Sequence, residues 1–391
     1  MRIAVVCSDL GVRVPGNKGA SLHLQAITAA LDRVGHEVVL IGVEGHGDPW
    51  VTTPALLVKH PGRASGLRRE LRKLATVEAI VRAATPVVHA FRPDVVYERL
   101  SLFGTAGVRL ASIRGSLHAV EVNALLAEEE ARWRGLHLKK LARSRERRVL
   151  RRAHLRVAVS EEVAHAVRSV AGGDATVVVP NGVDTDLFAE LPEKRAARQQ
   201  LGVQATGPLI GFVGSLRPWH GLDVLIEALA LLDDGVLAVA GDGPIREELQ
   251  RLAAQRRVDH RVKWVGHLEH ARIPAFLAAI DVAVAPYPSL PEFGFSPLKL
   301  YEYLAAGVPI VASDLGQIRD VLDAGRLGRL VTPGDPEALS QALHHVLTHP
   351  DTSGAQAAEG RRVALHAHSW EQRAHQLVES LHRAHNVALA R

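Results

Sequence analysis

From Pro208 to Leu347 the sequence alternates between short apolar runs and amphipathic stretches of helical period, and few folds accept that order. The runs "PLIGFVG", "GVLAVAG", "VKWVG", "DVAVAPY", "VPIVAS" and "GRLVTP" read as strands. Between and after them, "GLDVLIEALALL", "PIREELQRLAA", "RIPAFLAAI", "SPLKLYEYLAAG", "QIRDVLDAG" and "PEALSQALHHVL" read as helices. The strands are continuously apolar rather than alternating, as expected where both faces of a sheet are covered, and strand–helix–strand repetition makes neighbouring strands parallel. The expected class is α/β, with a doubly wound parallel sheet in this half.

The first half shows the same unit less regularly. "RIAVV" is a strand, "SLHLQAITAALDRV" places Leu24, Ile27, Leu31 and Val34 on one helical face, Gly35 ends it, and "HEVVLI" is the next strand. "DVVYERL" and "LRVAVS" are further strands, and Ser160 before two acidic residues marks a helix start. "VVVPNGVDTDLFAELP" is apolar and then rich in turn residues, which sets the boundary. The expected division is a first domain at 1–185, a connector at 186–205, a second domain at 206–365 and an amphipathic helix at 366–391. That helix, anchored by Trp370, Leu377 and Leu381, is of a kind that can cross back to the first domain. Two such sheets in tandem leave a cleft, and open α/β sheets bind ligands at the carboxyl ends of their strands.

Composition narrows the setting. One cysteine, Cys7, excludes a disulfide framework or a cysteine-rich metal site and fits a reducing cytoplasm. No uninterrupted apolar run of about 18 residues could span a bilayer, and the amino terminus is too short a run for a signal peptide, so membrane contact would be peripheral. A net charge of +5 suits a polyanion, an anionic lipid or a nucleotide.

"VPNGVDTDLF", "GFVGSLRPWHGLDVLIEAL", "VAGDGPIREELQRL" and "FSPLKLYEYLAAGVPIVASD" stand in the order and spacing of one family. The sequence resembles the retaining glycosyltransferases of GT-B architecture and family-four type, through nearly all of the second half. The likeness is weaker in the first half, in "NKGASLHLQAITAALDRVGHEV" and "PDVVYERLSLFG". The resemblance implies two Rossmann-like domains facing across a cleft, the first binding an acceptor and the second a nucleotide-diphosphate sugar. The sugar would be transferred with retention, no cofactor would be needed, and the acceptor would be an unidentified sugar, lipid or small molecule.

The resemblance also assigns residues. Glu302 aligns with the family's ribose-binding glutamate, and a carboxylate can accept from two vicinal hydroxyls. The amides of Ser296 and Leu298, with the charge of Lys299, would cradle the diphosphate at a helix start, where backbone N–H groups lack partners. Pro297 has no N–H to offer. Gly214 opens the glycine-rich loop of the second domain, His267 lies where the base is read, and Gly19 after Lys18 matches the loop facing the donor phosphate. Five positions depart from the family, the first being Lys18, which replaces the first glycine of the loop and is an acceptor-binding candidate. Gly294 stands where a glutamate touches the donor sugar, with Glu292 two residues early. Ser215 and His220 stand where an arginine and a lysine flank the loop, and Arg217 between them can restore charge beside Lys299. Asn123, with Glu121 and His118 near it, replaces a histidine and cannot act as a base at neutral pH. Glu98 and Arg99 end a strand pointing into the cleft, as acceptor contacts or as a buried ion pair.

Eleven Lys and Arg between Arg132 and Arg156, interleaved with leucines and a valine, form a basic amphipathic stretch. An anionic membrane, a polyanionic acceptor or plain solvent each suits such a face. Nucleic acid does not, because beyond Trp133 no aromatic residues interleave as stacking platforms. Asp184 and Asp186 form an Asp-x-Asp pair inside turn-rich sequence, and no metal is expected there. Two rival readings share the architecture: a non-hydrolysing nucleotide-sugar epimerase, and a non-catalytic nucleotide or polyanion binder. A dinucleotide-dependent oxidoreductase does not fit, because the first turn lacks G-x-G-x-x-G.

Overall fold

Every sheet pairing among the described residues is parallel, and the inner strands of each sheet are buried almost end to end, the edge strands less so. The computed structural model describes residues 1–46, 53–202, 207–290, 294 and 296–389. The chain divides into two units. The first comprises Met1–Asn181, Gly294–Ser296 and Trp370–Arg391, and the second Gly182–Phe293 and Pro297–Ser369.

In the first unit, β1 (Arg2–Cys7), β2 (Arg13–Val14), α1 (Gly19–Arg33), β3 (Glu37–Glu44), β4 (Ala55–Val58), α2 (Gly66–Phe91) and β5 (Val95–Arg99) are followed by α3 (Ala106–Arg114) and β6 (Leu117–Val122). Then come α4 (Leu126–Trp133), α5 (Lys139–Arg152), β7 (Leu155–Ala158), α6 (Glu161–Ala171) and β8 (Thr176–Val178). The sheet runs β2-β3-β1-β5-β6-β7-β8, with β4 also paired to β3. Strand order reverses between β1 and β5, where a doubly wound sheet opens a crevice at the strands' carboxyl ends. Leu24, Ile27 and Leu31 of α1 are buried as the helical period requires, whereas Val34 caps the helix and is half-buried. Ser160 caps α6 by accepting from Val163 N at 3.2 Å. The helix Trp370–Leu389 belongs to this unit: Trp370, Leu377 and Leu381 are buried, and the Trp370 ring meets His23 edge-on at 5.1 Å.

Among the described residues one helix, α2, is long and apolar enough to cross a membrane, with Glu78 and Arg82 interrupting its apolar run. Its Val77, Ile80, Ala84 and Val88 lie in one buried cluster with Val6, Val39, Ile41 and Val96 of the sheet. The packing is that of a core helix laid across a sheet.

In the second unit, α7 (Lys194–Gln200) leads into β9 (Leu209–Val213), α8 (Leu222–Ala230), β10 (Val236–Ala240), α9 (Arg246–Gln255), β11 (Val262–Gly266), α10 (Ile273–Ala279) and β12 (Val282–Ala285). These are followed by α11 (Leu298–Ala306), β13 (Ile310–Ser313), α12 (Gln317–Val321), β14 (Arg329–Val331), α13 (Pro336–Thr348) and α14 (Pro350–Ala367). The sheet order β11-β10-β9-β12-β13-β14 reverses between β9 and β12. Ile210, Phe212, Leu225, Leu229, Val239 and Leu343 are among the side chains of its core.

The turns after β9 and β10 press together. Gly214 N donates to Ala240 O at 3.0 Å, and a Cβ on Gly241, whose φ is +154°, would lie 1.8 Å from Gly214 O. Only glycine fits this contact. Gly241→Ala is expected to lower stability by about 1–3 kcal/mol or more, read as a lower urea midpoint, since backbone strain and a backbone clash add. An unchanged midpoint would mean that the two turns do not touch.

Candidate functional site

The reversal point of the second sheet is where one charge sits unanswered. Lys299, on the first turn of α11, is buried, and its Nζ lies 4.1 Å from the ring centroid of Phe212 on β9 and 5.3 Å from that of Tyr287, just past β12. Among the described residues Nζ has no hydrogen-bond partner. Ring faces attract an ammonium but do not replace its lost water. Burial pushes the Lys299 ammonium down to about 7, with Glu302 partly opposing the shift. Gly214 leaves the space above it, because a Cβ there would stand 2.9 Å from Nζ.

Leu298 opens α11, with Pro297 as the capping residue. Glu302 follows Lys299 by one helical turn and is 8% exposed, and its Oε1 lies 2.9 Å from His270 Nε2. His220 ends a short turn opened by Pro218. Its Nδ1 lies 2.5 Å from Ser215 O, and because a carbonyl only accepts, Nδ1 carries the hydrogen. Burial, then Lys299, pushes the His220 imidazole down to about 3, with Arg217 adding to the effect. The ring is thus neutral, with a lone pair on Nε2. Arg217 holds its guanidinium 5.7 Å over the Trp219 ring. His267 is exposed just past β11, and it is His270, three residues on, that reaches Glu302. Asp184 Oδ1 accepts from Leu187 N at 3.3 Å, as turn residues do. Among the described residues no group of three or more His, Cys, Asp or Glu could hold a metal ion.

The first unit brings its own polar residues together around Glu121. Glu121 Oε2 is met by His23 Nε2 at 2.8 Å and Tyr97 Oη at 2.6 Å, and Oε1 by Arg99 Nη1 at 2.6 Å and Asn123 Nδ2 at 2.5 Å. Burial opposes ionisation of Glu121, but His23, Arg99 and Tyr97 outweigh it and hold the carboxyl well below the usual range. His23 Nδ1 lies 2.5 Å from Asn181 Oδ1. The Asn181 amide is oriented by Ser296, whose carbonyl accepts from Nδ2 at 2.5 Å and whose Oγ accepts from the Asn181 backbone N–H at 3.1 Å. Gly294 O accepts from Ser160 Oγ at 3.1 Å, and Glu292 lies outside the described residues.

Glu98 is 1% exposed, and its carboxylate serves the fold: Oε1 accepts from Gly107 N at 2.9 Å, and Oε2 lies 3.0 Å from His118 Nε2. The sequence left Glu98 open between an acceptor contact and a buried pairing, and its geometry is that of the pairing. Arg99 is likewise buried, against Glu121. Lys18 and Gly19 are exposed at the start of α1. Sequence reasoning passed over His23 and His270. Each stands in an amphipathic or turn sequence where a histidine reads as an ordinary polar residue, and its partner is distant along the chain.

Comparison with known proteins bears on both units. Residues 17–187 match the family described as Glycosyltransferase Family 4, and residues 207–349 that described as Glycosyl transferases group 1. A GDP-mannose-dependent alpha-(1-6)-phosphatidylinositol monomannoside mannosyltransferase of Mycolicibacterium smegmatis is 33% identical over 52% of this chain and 55% of its own length. The chain thus spans about half the length of the first curated relatives it matches. Glycogen synthase of Mycobacterium tuberculosis is 27% identical over 95% of this chain and 92% of its own. Sucrose-phosphate synthase from Thermosynechococcus elongatus, 20% identical, superposes with a TM-score of 0.80 over 99% of this chain and 100% of its own. The fold is thus the GT-B fold that the sequence motifs resembled.

Replacing Lys299 tests the buried charge. Below the ordinary lysine value of about 10.4 the unfolded chain holds this proton more tightly than the folded one, so stability should rise with pH from about 7 towards 10. Lys299→Met removes that term and should unfold at a higher urea midpoint than the native protein at pH 6, the gain shrinking by pH 9.5. A variant no more stable at either pH would contradict the unpartnered ammonium.

Proposed function

We propose that the chain is a glycosyltransferase that moves a sugar, with retention, from a nucleotide-diphosphate sugar to an acceptor, a reading supported by the matches of residues 17–187 and 207–349 to two glycosyltransferase families. The observation that carries this reading is Lys299: a buried ammonium with no hydrogen-bond partner among the described residues, at the reversal point of a doubly wound sheet, one helical turn before a carboxylate. A diphosphate supplies the missing anion. The first-turn amide of Leu298 adds donors, and Arg217 supplies a second full charge as the leaving diphosphate gains charge in the transition state. Glu302 accepts from the ribose hydroxyls. His220, neutral with a free lone pair, suits a hydroxyl of the donor better than a phosphate oxygen. The leaving phosphate assists the acceptor's attack on the same face. Arg217, and Lys299 once a bound diphosphate holds its proton, take the part a metal would play, so the reaction proceeds without one.

Lys299→Met and Arg217→Ala should each lower turnover by on the order of a hundredfold. Free nucleoside diphosphate should appear only when acceptor is added, and the product should keep the donor's anomeric configuration. An epimerase would interconvert the sugar with no acceptor, and an inverted product would overturn retention.

The partner proposed for the basic stretch is an anionic membrane surface, on which a cytoplasmic enzyme would dock peripherally. Cys7 fits that compartment, since burial pushes its thiol up to about 12 and leaves it inert. Lys140, Arg143, Arg147, Arg148 and Arg151 line one face of α5. Arg143 pairs with Glu128, whereas among the described residues Lys140, Arg147, Arg148 and Arg151 have no carboxylate partner. Glu146 leaves that face positive, because it accepts from Ala127 N at 3.1 Å and burial pushes its carboxyl up to about 7. Trp133 and Leu141 are exposed beside it, as are Leu67 and Leu71 at the start of α2, which Glu70 ties to the chain before α5 by accepting from Leu138 N at 2.7 Å. Each Lys or Arg near anionic lipid contributes about 1 kcal/mol, screened over a Debye length of about 10 Å at 0.1 M salt. Sedimentation with anionic but not neutral liposomes is expected, weakened by salt and by changing Arg147, Arg148, Arg151 and Arg152 to Gln. Equal, negligible sedimentation in all conditions would leave α5 a solvated face.

A further inference from the structure

Glu302 is held by a residue that neither the sequence motifs nor the family comparison singles out. His270 ends the loop after β11, and its Nε2 lies 2.9 Å from Glu302 Oε1, with side-chain exposures of 21% and 11%. The histidine carries a raised pKa although burial opposes it, because Glu302 and, more weakly, Asp184 favour its charged form. A glutamate has three side-chain torsions, the last of them broad, and it grips two vicinal hydroxyls only when both oxygens face them together. An N–H directed at Oε1 fixes that torsion. Among the described residues it also leaves open the second lone pair of Oε1 and both lone pairs of Oε2, enough for two hydroxyl donors.

We propose that His270 is a positioning residue: it orients the Glu302 carboxylate towards the vicinal hydroxyls of a ribose and so makes the site select ribonucleotides over 2′-deoxyribonucleotides. The inference rests on the reading of Glu302 as the ribose contact. A 2′-deoxy ligand would leave one carboxylate oxygen unsatisfied, and the loss of a hydrogen bond to a charged group corresponds to roughly tenfold to a hundredfold in affinity. A loosely held carboxylate would follow the remaining hydroxyl and lose most of that discrimination.

The test is calorimetric binding of UDP, GDP and ADP, then of the tightest binder against its 2′-deoxy counterpart and against inorganic pyrophosphate. The native protein should prefer the ribonucleotide by about tenfold or more. His270→Ala should reduce the preference to below about threefold while leaving pyrophosphate affinity unchanged, and His270→Gln, whose amide N–H can reach the same oxygen, should restore it. If Glu302→Ala keeps the native preference, or no ribonucleoside diphosphate binds, the reading of Glu302 fails and the inference falls with it. If Glu302→Ala abolishes the preference but His270→Ala retains it, only the positioning role is overturned. An equal loss of all three ligands in His270→Ala without rescue by Gln would make His270 a structural residue and also overturn it.

Discussion

A buried ammonium that faces two aromatic rings and, among the described residues, no hydrogen-bond partner is a costly group in the second unit, and its surroundings are arranged to keep it there. Glycine at 214 leaves room for Nζ, Phe212 and Tyr287 wall it from water, and the first turn of α11 carries it to the edge between β9 and β12. Burying an unpaired charge destabilises a fold, and such costs persist where function requires them. His220, neutral in the same neighbourhood, avoids adding a further charge to a site that already holds Lys299 and Arg217. Ser215 and His220 add no charge beside this loop, and Arg217 and Lys299 carry it.

The first unit solves a different problem with the same topology. Its strands also reverse order, between β1 and β5, but here the polar groups around Glu121 satisfy one another. Tyr97 and Arg99 on β5, Glu121 on β6, His23 on α1 and Asn181 after β8 form one network in which the acidic group is ionised and fully paired. Such a network fixes geometry. Ser296, two residues before α11 in sequence, is held by Asn181 through both its hydroxyl and its carbonyl.

The legible part of this protein was what local pattern encodes. Strands buried on both faces must be continuously apolar, and the helices between them in the second half followed in order from 222 to 348, whereas α14 (Pro350–Ala367) was not read. The Ser160 cap, and Trp370, Leu377 and Leu381 as anchors, were equally plain because period and cap chemistry are local. The long α2 was not read, since Pro86 stands inside it and its first two turns carry five charged residues. Glu98 could not be assigned from sequence: a carboxylate at a strand end looks the same whether it faces a ligand or a neighbouring helix amide. His23 and His270 were hidden for a related reason. Their roles come from Asn181, 158 residues away, and from Glu302, 32 residues away, and no periodicity links such pairs.

The central claim, that the Lys299 ammonium awaits a diphosphate, has a direct thermodynamic signature. A ligand anion beside Nζ must raise the affinity of that nitrogen for its proton. At pH 8 the native site holds Lys299 largely neutral, given a value of about 7, while a nucleoside diphosphate, whose last phosphate ionises near pH 6, has no proton left to give. Calorimetric titration of a binding nucleoside diphosphate in two buffers of different ionisation enthalpy therefore counts protons taken up by the protein. The account predicts uptake approaching one proton per bound nucleotide at pH 8, absent in Lys299→Met; binding with no proton uptake in the native protein would contradict it.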